Sequence, residues 1–453
     1  MVDHQDPEEI QIPSEQNAAD RSSRRDFLGR AVALGAASAL MTSCRTSSIE
    51  AKKGKIPKAG GRVPLGKDDP VRIGVIGTGG MGDGHCVQFM SLTKDGKFNV
   101  QVVALADVNK IRLDRTHQGC EEKQGFKVDK YRDFHELLAR DDIHGVLIAA
   151  PEHWHATMAV AAIAAGKDVY LEKPMTLRLD DALWLRQVVL KNPDVIFQVG
   201  TQKMILPKWP AAQKLIADGA IGKPTFSQTS YCRNSKDGEW LYYEVEPEVV
   251  PGENLDWDAW CGPLGPQPFD GAVYAQWRRY RKFSTGIVGD LLVHQMTPLM
   301  MALDMGWPTR VTGSGGHYVD KVMENHDQVN MTIEFEKEHT MIVVGSTSNE
   351  QGLETMIRGH KATLYLNSRD CVLRPERIFV DEVDEQTIKC EEIGDDQNAL
   401  RVNWIESIRS RQPAVSGIDL ASKMMVAVDL ATRSMWDGHA YTFDPKSMTA
   451  RPA

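Results

Sequence analysis

Past residue 70, short apolar runs alternate with amphipathic stretches at a regular spacing. Val71-Arg72-Ile73-Gly74-Val75-Ile76-Gly77 is an apolar run that ends in glycine and reads as a buried parallel strand. A helical stretch follows from His85 to Leu92, then a second apolar strand from Val100 to Ala106, closed by Asp107. Val128 to Arg140 predicts a helix and Gly145 to Ala150 a third strand. Ala156 to Ala165 is an Ala-rich helix, and Asp168 to Glu172 a fourth strand. This rhythm predicts an α/β fold whose first domain, residues 71–200, is a Rossmann-type doubly wound parallel sheet.

After Gln198-Val199-Gly200 the period changes. Thr225 to Tyr231, Gln328 to Phe335, Thr340 to Val344 and Ala362 to Leu366 alternate apolar and polar positions. They predict an open, mainly antiparallel sheet with one wet face, in a C-terminal α/β domain of residues 201–453. Trp257 to Phe283 is rich in Trp, Pro and Arg, has little periodicity, and reads as a loop lining a site. An amphipathic helix from Ala421 to Met435 is expected to close the chain and return towards the first domain.

The N-terminal residues belong to neither pattern. Ser23-Arg24-Arg25-Asp26-Phe27-Leu28, followed by a Gly/Ala stretch from Gly29 to Met41, reads as a twin-arginine export signal over residues 1–44. That makes the twin-arginine translocase an expected partner and the periplasm or cell envelope the expected location. The apolar run is too short and small-sided for a convincing membrane span. Met41-Thr42-Ser43-Cys44 is similar to a lipoprotein cleavage box, which makes Cys44 a candidate lipid anchor. Residues 45–70 read as a linker.

Composition narrows the classes. A chain of 453 residues with 42% hydrophobic and 25% charged content is an ordinary soluble protein with room for two domains. A net charge of −9 argues against general nucleic-acid binding. Seven cysteines form no CxxC pair and no zinc-like spacing, and all but Cys44 read as scattered thiols.

Four motifs carry chemistry. Gly77-Thr78-Gly79-Gly80-Met81-Gly82 follows a strand, opens a helix, and is answered by Asp107 at the tip of the next strand. Glycines there let the backbone approach a pyrophosphate, the helix N-terminus supplies N–H groups, and Asp107 accepts from the ribose hydroxyls. Asp107 also repels a 2′-phosphate, which favours NAD over NADP. In Glu172-Lys173-Pro174, a lysine at the carboxyl end of a strand can polarise or deprotonate a hydroxyl, although a plain surface lysine fits the same place. Asp290 and His294 stand at i and i+4, on one helical face, either lining a pocket for proton transfer or forming a surface pair.

Pro151-Glu152-His153-Trp154-His155 has two histidines at metal spacing but no further ligand nearby, so it reads as a cofactor-side loop rather than a metal site. Trp277, Arg278, Arg279 and Tyr280 form a cationic and aromatic cluster suited to a polyhydroxylated or acidic substrate, or to a core edge. Gln202 joins the cofactor candidates and Tyr231 the substrate candidates.

Together these motifs resemble the Gfo/Idh/MocA family, over roughly Val71 to Phe443. The resemblance implies oxidation or reduction of a sugar-like hydroxyl with NAD, and oligomerisation through the open sheet. It also implies that Lys173 orients the hydroxyl, His294 is acid or base, Asp290 positions substrate or histidine, and Pro151, His155 and Glu172 stand at the cofactor. Glu152 departs from the Asn common after that proline. The fold is also similar to that of NAD-dependent glycosidases, in which Val-Pro often replaces the Lys-Pro found here; Lys173 favours the dehydrogenase. An accessory protein that keeps NAD for structure alone is a third reading, opposed by intact Lys173, Asp290 and His294. Export in a folded state adds the expectation of a tightly bound NAD.

Overall fold

The structure, a computed structural model, describes residues 56–96 and 98–453; the twin-arginine motif, Cys44 and the first part of the linker lie outside these residues. Buried apolar runs become the strands β1 (Val71–Ile76), β2 (Val100–Ala106), β3 (Asp129–Tyr131), β4 (Gly145–Ile148), β5 (Asp168–Leu171) and β6 (Phe197–Val199). Their order is β3-β2-β1-β4-β5-β6, every pair parallel. Strand order reverses between β1 and β4, and the crevice at their carboxyl ends is where ligands bind in such sheets.

Two expectations change here. The stretch from Val128 to Arg140 is not one helix but the edge strand β3 and a short helix Phe134–Leu138, which Asp133 starts by accepting from the His135 N–H. The helix expected at His85 to Leu92 is longer, Gly80–Lys94.

The second sheet has ten strands: β7 (Pro224–Cys232), β8 (Pro308–Gly316), β9 (Gln328–Phe335), β10 (His339–Ser346), β11 (Met356–Gly359), β12 (Ala362–Tyr365), β13 (Cys371–Pro375), β14 (Gln386–Ile388), β15 (Tyr441–Asp444) and β16 (Thr449–Pro452). Neighbours are antiparallel except β7 and β10, which run parallel with Thr340 opposite Phe226. Alternation places Met341 and Val343 in the core and leaves Ile342 and Phe226 partly exposed on the open face.

Helix Ile418–Asp437 lies between this sheet and the Rossmann helix Leu179–Lys191, so that residues of both sheets share one core. It does not close the chain. Gly438, left-handed at φ 78°, ends it, and the hairpin β15–β16 then extends the sheet.

The period of the sequence did not reveal the helix Asp396–Ser410, which crosses back onto the first sheet. Its Leu400, Trp404, Ile405 and Ile408 join a cluster with Val71, Ile73 and Tyr170. Arg411, just beyond it, donates from both terminal nitrogens to the Asp168 carboxylate at 2.6 and 2.8 Å. Because Trp404 is fully buried, Trp404→Ala should destabilise the protein by about 3–5 kcal/mol. A urea midpoint within error of the parent protein would show that this helix is not part of the Rossmann core.

Candidate active site

The chain leaves β1 through Gly77, whose φ of 88° excludes most side chains and where a Cβ would sit 2.7 Å from the Ala149 carbonyl oxygen. A Cβ on Gly82 would lie 1.8 Å from the Gly77 oxygen, so the helix Gly80–Lys94 can start this close to the strand only with glycine there. No side chain caps that helix, and Gly80 faces open space. Its first N–H groups therefore face a cavity of about 890 Å³.

Asp107 stands at the same rim. Its Oδ2 accepts from Thr78 N at 2.6 Å and Thr78 Oγ1 at 3.1 Å, and its Oδ1 from Asn109 N at 2.7 Å. Oδ1, with a single donor, keeps a lone pair for a further one. Uncapped N–H groups, glycines where a Cβ would fill the cradle, and a pinned carboxylate on the next strand fit a dinucleotide.

Of the cofactor residues expected from sequence, Gly77, Gly79, Gly80, Met81, Asp107, Pro151, Glu172 and Lys173 line the cavity. Thr78, Gly82, His155 and Gln202 do not. Thr78 acts through Asp107, and Gly82 through packing. His155 is buried with its ring nitrogens 2.7 and 2.8 Å from the carbonyls of Pro174 and Ala150, which ties the two loops together. Gln202 opens a short turn, Gln202–Ile205, off the cavity wall.

At the carboxyl end of β5, Lys173 Nζ donates to Asp290 Oδ1 at 2.8 Å and to the Asp290 carbonyl at 3.0 Å. Arg278 Nε reaches the same Oδ1 at 3.0 Å. Burial alone would push the Asp290 carboxyl up, but the Lys173 ammonium and Arg278 guanidinium outweigh it and hold it well below the usual carboxylate range. Asp290 sits in a π-helical turn, Val288–Leu292, and His294 in the helix that follows, Val293–Leu303.

The Asp290–His294 pairing allowed by their spacing is not made: Asp290 is taken by the two cations, and His294 Nδ1 has no hydrogen-bond partner. Burial, reinforced by the charge of Lys173, pushes His294 down to about 3, so its imidazole is neutral. His294 is not among the residues lining the cavity.

The cationic and aromatic cluster divides. Trp277 and Arg278 line the cavity; Arg279, Tyr280 and Tyr231 do not. Arg279 is 4% exposed and takes both oxygens of Asp320, as a desolvated guanidinium must be paired. Tyr231 stacks under Lys203 and Arg233, and Tyr280 packs on the aromatic cluster of Trp257, Trp260 and Tyr274. The segment expected as a loop, Trp257 to Phe283, thus has its own small core and two short helices, Trp257–Cys261 and Gly271–Ala275.

That segment closes the far wall of the cavity. Arg112 donates to Glu246 at 3.0 and 3.2 Å, Asn109 Nδ2 to the Tyr274 hydroxyl at 2.7 Å, and Lys110 N to the Asn254 carbonyl at 2.7 Å. At the other rim Trp154 Nε1 donates to the Trp260 carbonyl at 2.8 Å, and His153 Nε2 lies equally close to it. His153 and His155 are thus turned to carbonyls, and no metal-binding group occurs among the described residues.

Two buried carboxylates carry structure that the sequence did not reveal. Glu172 meets His85 Nε2 at 2.8 Å, and Arg401 Nε donates to His85 Nδ1 at 2.8 Å, so His85 must donate to Glu172. A Cβ at Gly200 would crowd Glu172 at 2.8 Å. Glu152 turns away from the cavity and accepts from Ser284 Oγ at 2.5 Å and from Thr285 N and Oγ1, both at 3.1 Å. It thereby ties the Pro151 loop to the segment that leads into Asp290.

Residues 71–201 match the family model described as oxidoreductase family, NAD-binding Rossmann fold, and residues 266–443 that described as oxidoreductase family, C-terminal alpha/beta domain. Both are models of the Gfo/Idh/MocA family and together cover more than half of the chain; the chain belongs to this family. It is 36% identical over 165 residues to a glycosyl hydrolase family 109 protein of Shewanella pealeana, 35% of each chain. It is 31% identical over 169 residues to an inositol 2-dehydrogenase of Pseudomonas savastanoi pv. phaseolicola, 37% of this chain and 48% of that one. The chain thus spans a third to a half of the length of these curated relatives.

Solved structures agree in fold. An NAD binding oxidoreductase from Klebsiella pneumoniae superposes with a TM-score of 0.62 at 20% identity, over 82% of this chain and 98% of that one. Levoglucosan dehydrogenase in complex with NADH and L-sorbose does so with a TM-score of 0.62 at 16% identity and the same coverage.

Burial raises the Glu152 carboxyl from its ordinary 4.5 to about 7, against the pull of its three donors and with the charge of Asp290 acting in the same upward direction. From about pH 4.5 to 7 the folded protein therefore binds more protons here than the unfolded chain, and stability from this group falls as pH rises through that window. Glu152→Gln removes the titration. Relative to the parent protein it should gain up to a few kcal/mol between about pH 5 and about pH 8 in urea denaturation. Parallel pH profiles for the two proteins would rule the assignment out.

Proposed function

We propose that this protein oxidises or reduces a CH–OH carbon of a sugar, polyol or sugar derivative with bound NAD. The observation that carries the reading is the Lys173–Asp290 pair at 2.8 Å, whose lysine lines the same cavity as the glycine loop. NAD held there would supply a hydride acceptor or donor for the hydroxyl-bearing carbon. Gly77, Gly79, Gly80 and Met81 are placed to take the pyrophosphate and Asp107 the ribose hydroxyls.

Lys173, with two of its three N–H groups held by Asp290, presents the third to the substrate hydroxyl and stabilises negative charge on its oxygen. His294 does not line the cavity, but it is neutral and feels the charges of Lys173 and Asp290, and we assign it the role of proton acceptor. Arg278, on the other side of Asp290, extends the polar wall. The inositol and levoglucosan dehydrogenases among the relatives support a polyol as substrate.

A second reading, net cleavage of a glycoside by a hydride that leaves and returns, draws on the 36% identity to the Shewanella glycosyl hydrolase. Release of phenol from aryl glycosides without accumulation of NADH separates it from the first.

Lys173→Ala and His294→Ala should each lower kcat by about 10²–10⁴-fold on whichever polyol the parent turns over. Near-parent rates in either variant remove that residue from the mechanism. Asp107 repels a 2′-phosphate, and Glu246 and Tyr274, bonded to Arg112 and Asn109 across the cleft, line its far wall. The protein should therefore keep about one NAD per chain, and no NADP, through extended dialysis. A dialysed protein that is empty, or that carries NADP, overturns the tight-binding assignment.

A further inference from the structure

The cavity wall extends beyond the Lys173–Asp290 pair onto a shelf of two tyrosines that lie between the stretches matched by the two family models. Tyr242 and Tyr243 are 56% and 40% exposed, yet their rings stand together at 4.8 Å. Exposed aromatics are ordinarily free to rotate, and these are not. The Tyr242 hydroxyl donates to Glu239 at 3.0 Å, and Glu239 is itself 1% exposed, held by the Arg233 guanidinium and by Ser235 Oγ at 2.6 Å. Tyr243 is held through its carbonyl, which accepts from Gln276 at 3.0 Å. The Arg233–Glu239 pair thus holds the Tyr242 end of an aromatic surface that lines the cavity instead of the core.

Between shelf and catalytic pair lies Arg278. Its guanidinium is stacked between Trp277, at 4.2 Å, and Tyr243, at 5.4 Å, and its Nε is taken by Asp290. Its terminal nitrogens make no hydrogen bond to the described residues, so their N–H groups remain for a ligand. A preformed aromatic platform, next to unspent N–H donors and one step from the reacting end, is what the flat C–H face and outward hydroxyls of a pyranose need.

We propose that Tyr242, Tyr243 and Arg278 form an outer subsite for a second sugar ring, so that the substrate is a glycoside of at least two rings rather than a free monosaccharide. This rests on the sugar-directed reading of the Lys173–Asp290 site. The reacting ring meets Lys173, Arg278 bridges the glycosidic junction, and the second ring stacks on the tyrosines.

The test is calorimetric binding of disaccharides (maltose, cellobiose, lactose and melibiose) and of glucose and galactose to the full, NAD-loaded protein. Parent, Tyr242→Ala, Tyr243→Ala and Tyr242→Phe proteins are compared, each checked for an unchanged melting temperature. At least one disaccharide should bind the parent about tenfold or more tightly than its monosaccharides. Both alanine variants should bring that ratio close to one, and Tyr242→Phe should keep most of it. Disaccharides that bind no better than monosaccharides, or alanine variants that leave the ratio unchanged, overturn the subsite. If monosaccharides bind and are turned over without any such ratio, the subsite alone fails. If no sugar of either size binds, the subsite and the sugar-directed reading fall together.

Discussion

The candidate site depends on one buried carboxylate. Asp290 is 6% exposed and carries two cations on a single oxygen: Lys173 from the end of a Rossmann strand and Arg278 from the segment leading to the second sheet. Neither cation would be stable at such burial alone, and breaking a buried pair by removing one partner typically costs about 3–5 kcal/mol. The pair therefore constrains geometry more than it adds stability. Wherever Asp290 goes, the lysine at the cofactor end and the arginine at the outer end follow, and the distance between the two halves of the site is fixed.

Other buried contacts hold Asp290 where it is. Glu152 binds the hydroxyls of Ser284 and Thr285 and the N–H of Thr285, immediately before the Gly286 carbonyl that accepts from Asp290 N. His155 bridges the loops after β4 and β5, and the Arg401–His85–Glu172 chain secures the residue before Lys173 to a helix from the far end of the sequence. Each link joins segments distant in sequence, so the site exists only in the completed fold. Fully satisfied buried networks of this kind are stiff, and a stiff frame suits a reaction that needs donor and acceptor atoms held within a few tenths of an ångström.

That remoteness explains what could be read from the chain. The glycine loop, Asp107 and the Lys173 strand end are local patterns, set by covalent neighbours and strand period, and they line the cavity; the Asp290–His294 spacing is local too, but the two side chains do not pair and His294 lies off the cavity. Residues whose roles come from remote partners gave no local signal. Arg279 and Arg278 are adjacent and chemically alike, yet one faces Asp320 in the core and the other faces the cavity. Tyr242 and Tyr243 take their places from Glu239 and Gln276 respectively, contacts that no local period announces. In helix Asp396–Ser410, Leu400, Trp404 and Ile408 bury one stripe under many charged neighbours, which masked its amphipathic pattern.

Charge balance at the reacting end follows from the same burial. Lys173 and Arg278 bring two positive charges. Asp290 returns one negative charge, and Glu172, although buried, is kept in its charged form by the hydrogen bond from His85. With Glu152 protonated, these four groups sum to zero around a neutral His294. Negative charge placed beside Lys173 would meet a surround with no net opposition to it. Ionisation of Glu152, whose carboxyl stands near 7 and feels Asp290, adds an uncompensated carboxylate to the same low-dielectric region. That opposes negative charge beside Lys173 and favours a proton on His294. A buried glutamate at this position therefore couples the proton affinity of the site to solution pH through an electrostatic field, although its side chain faces Ser284 and Thr285 and not the cavity.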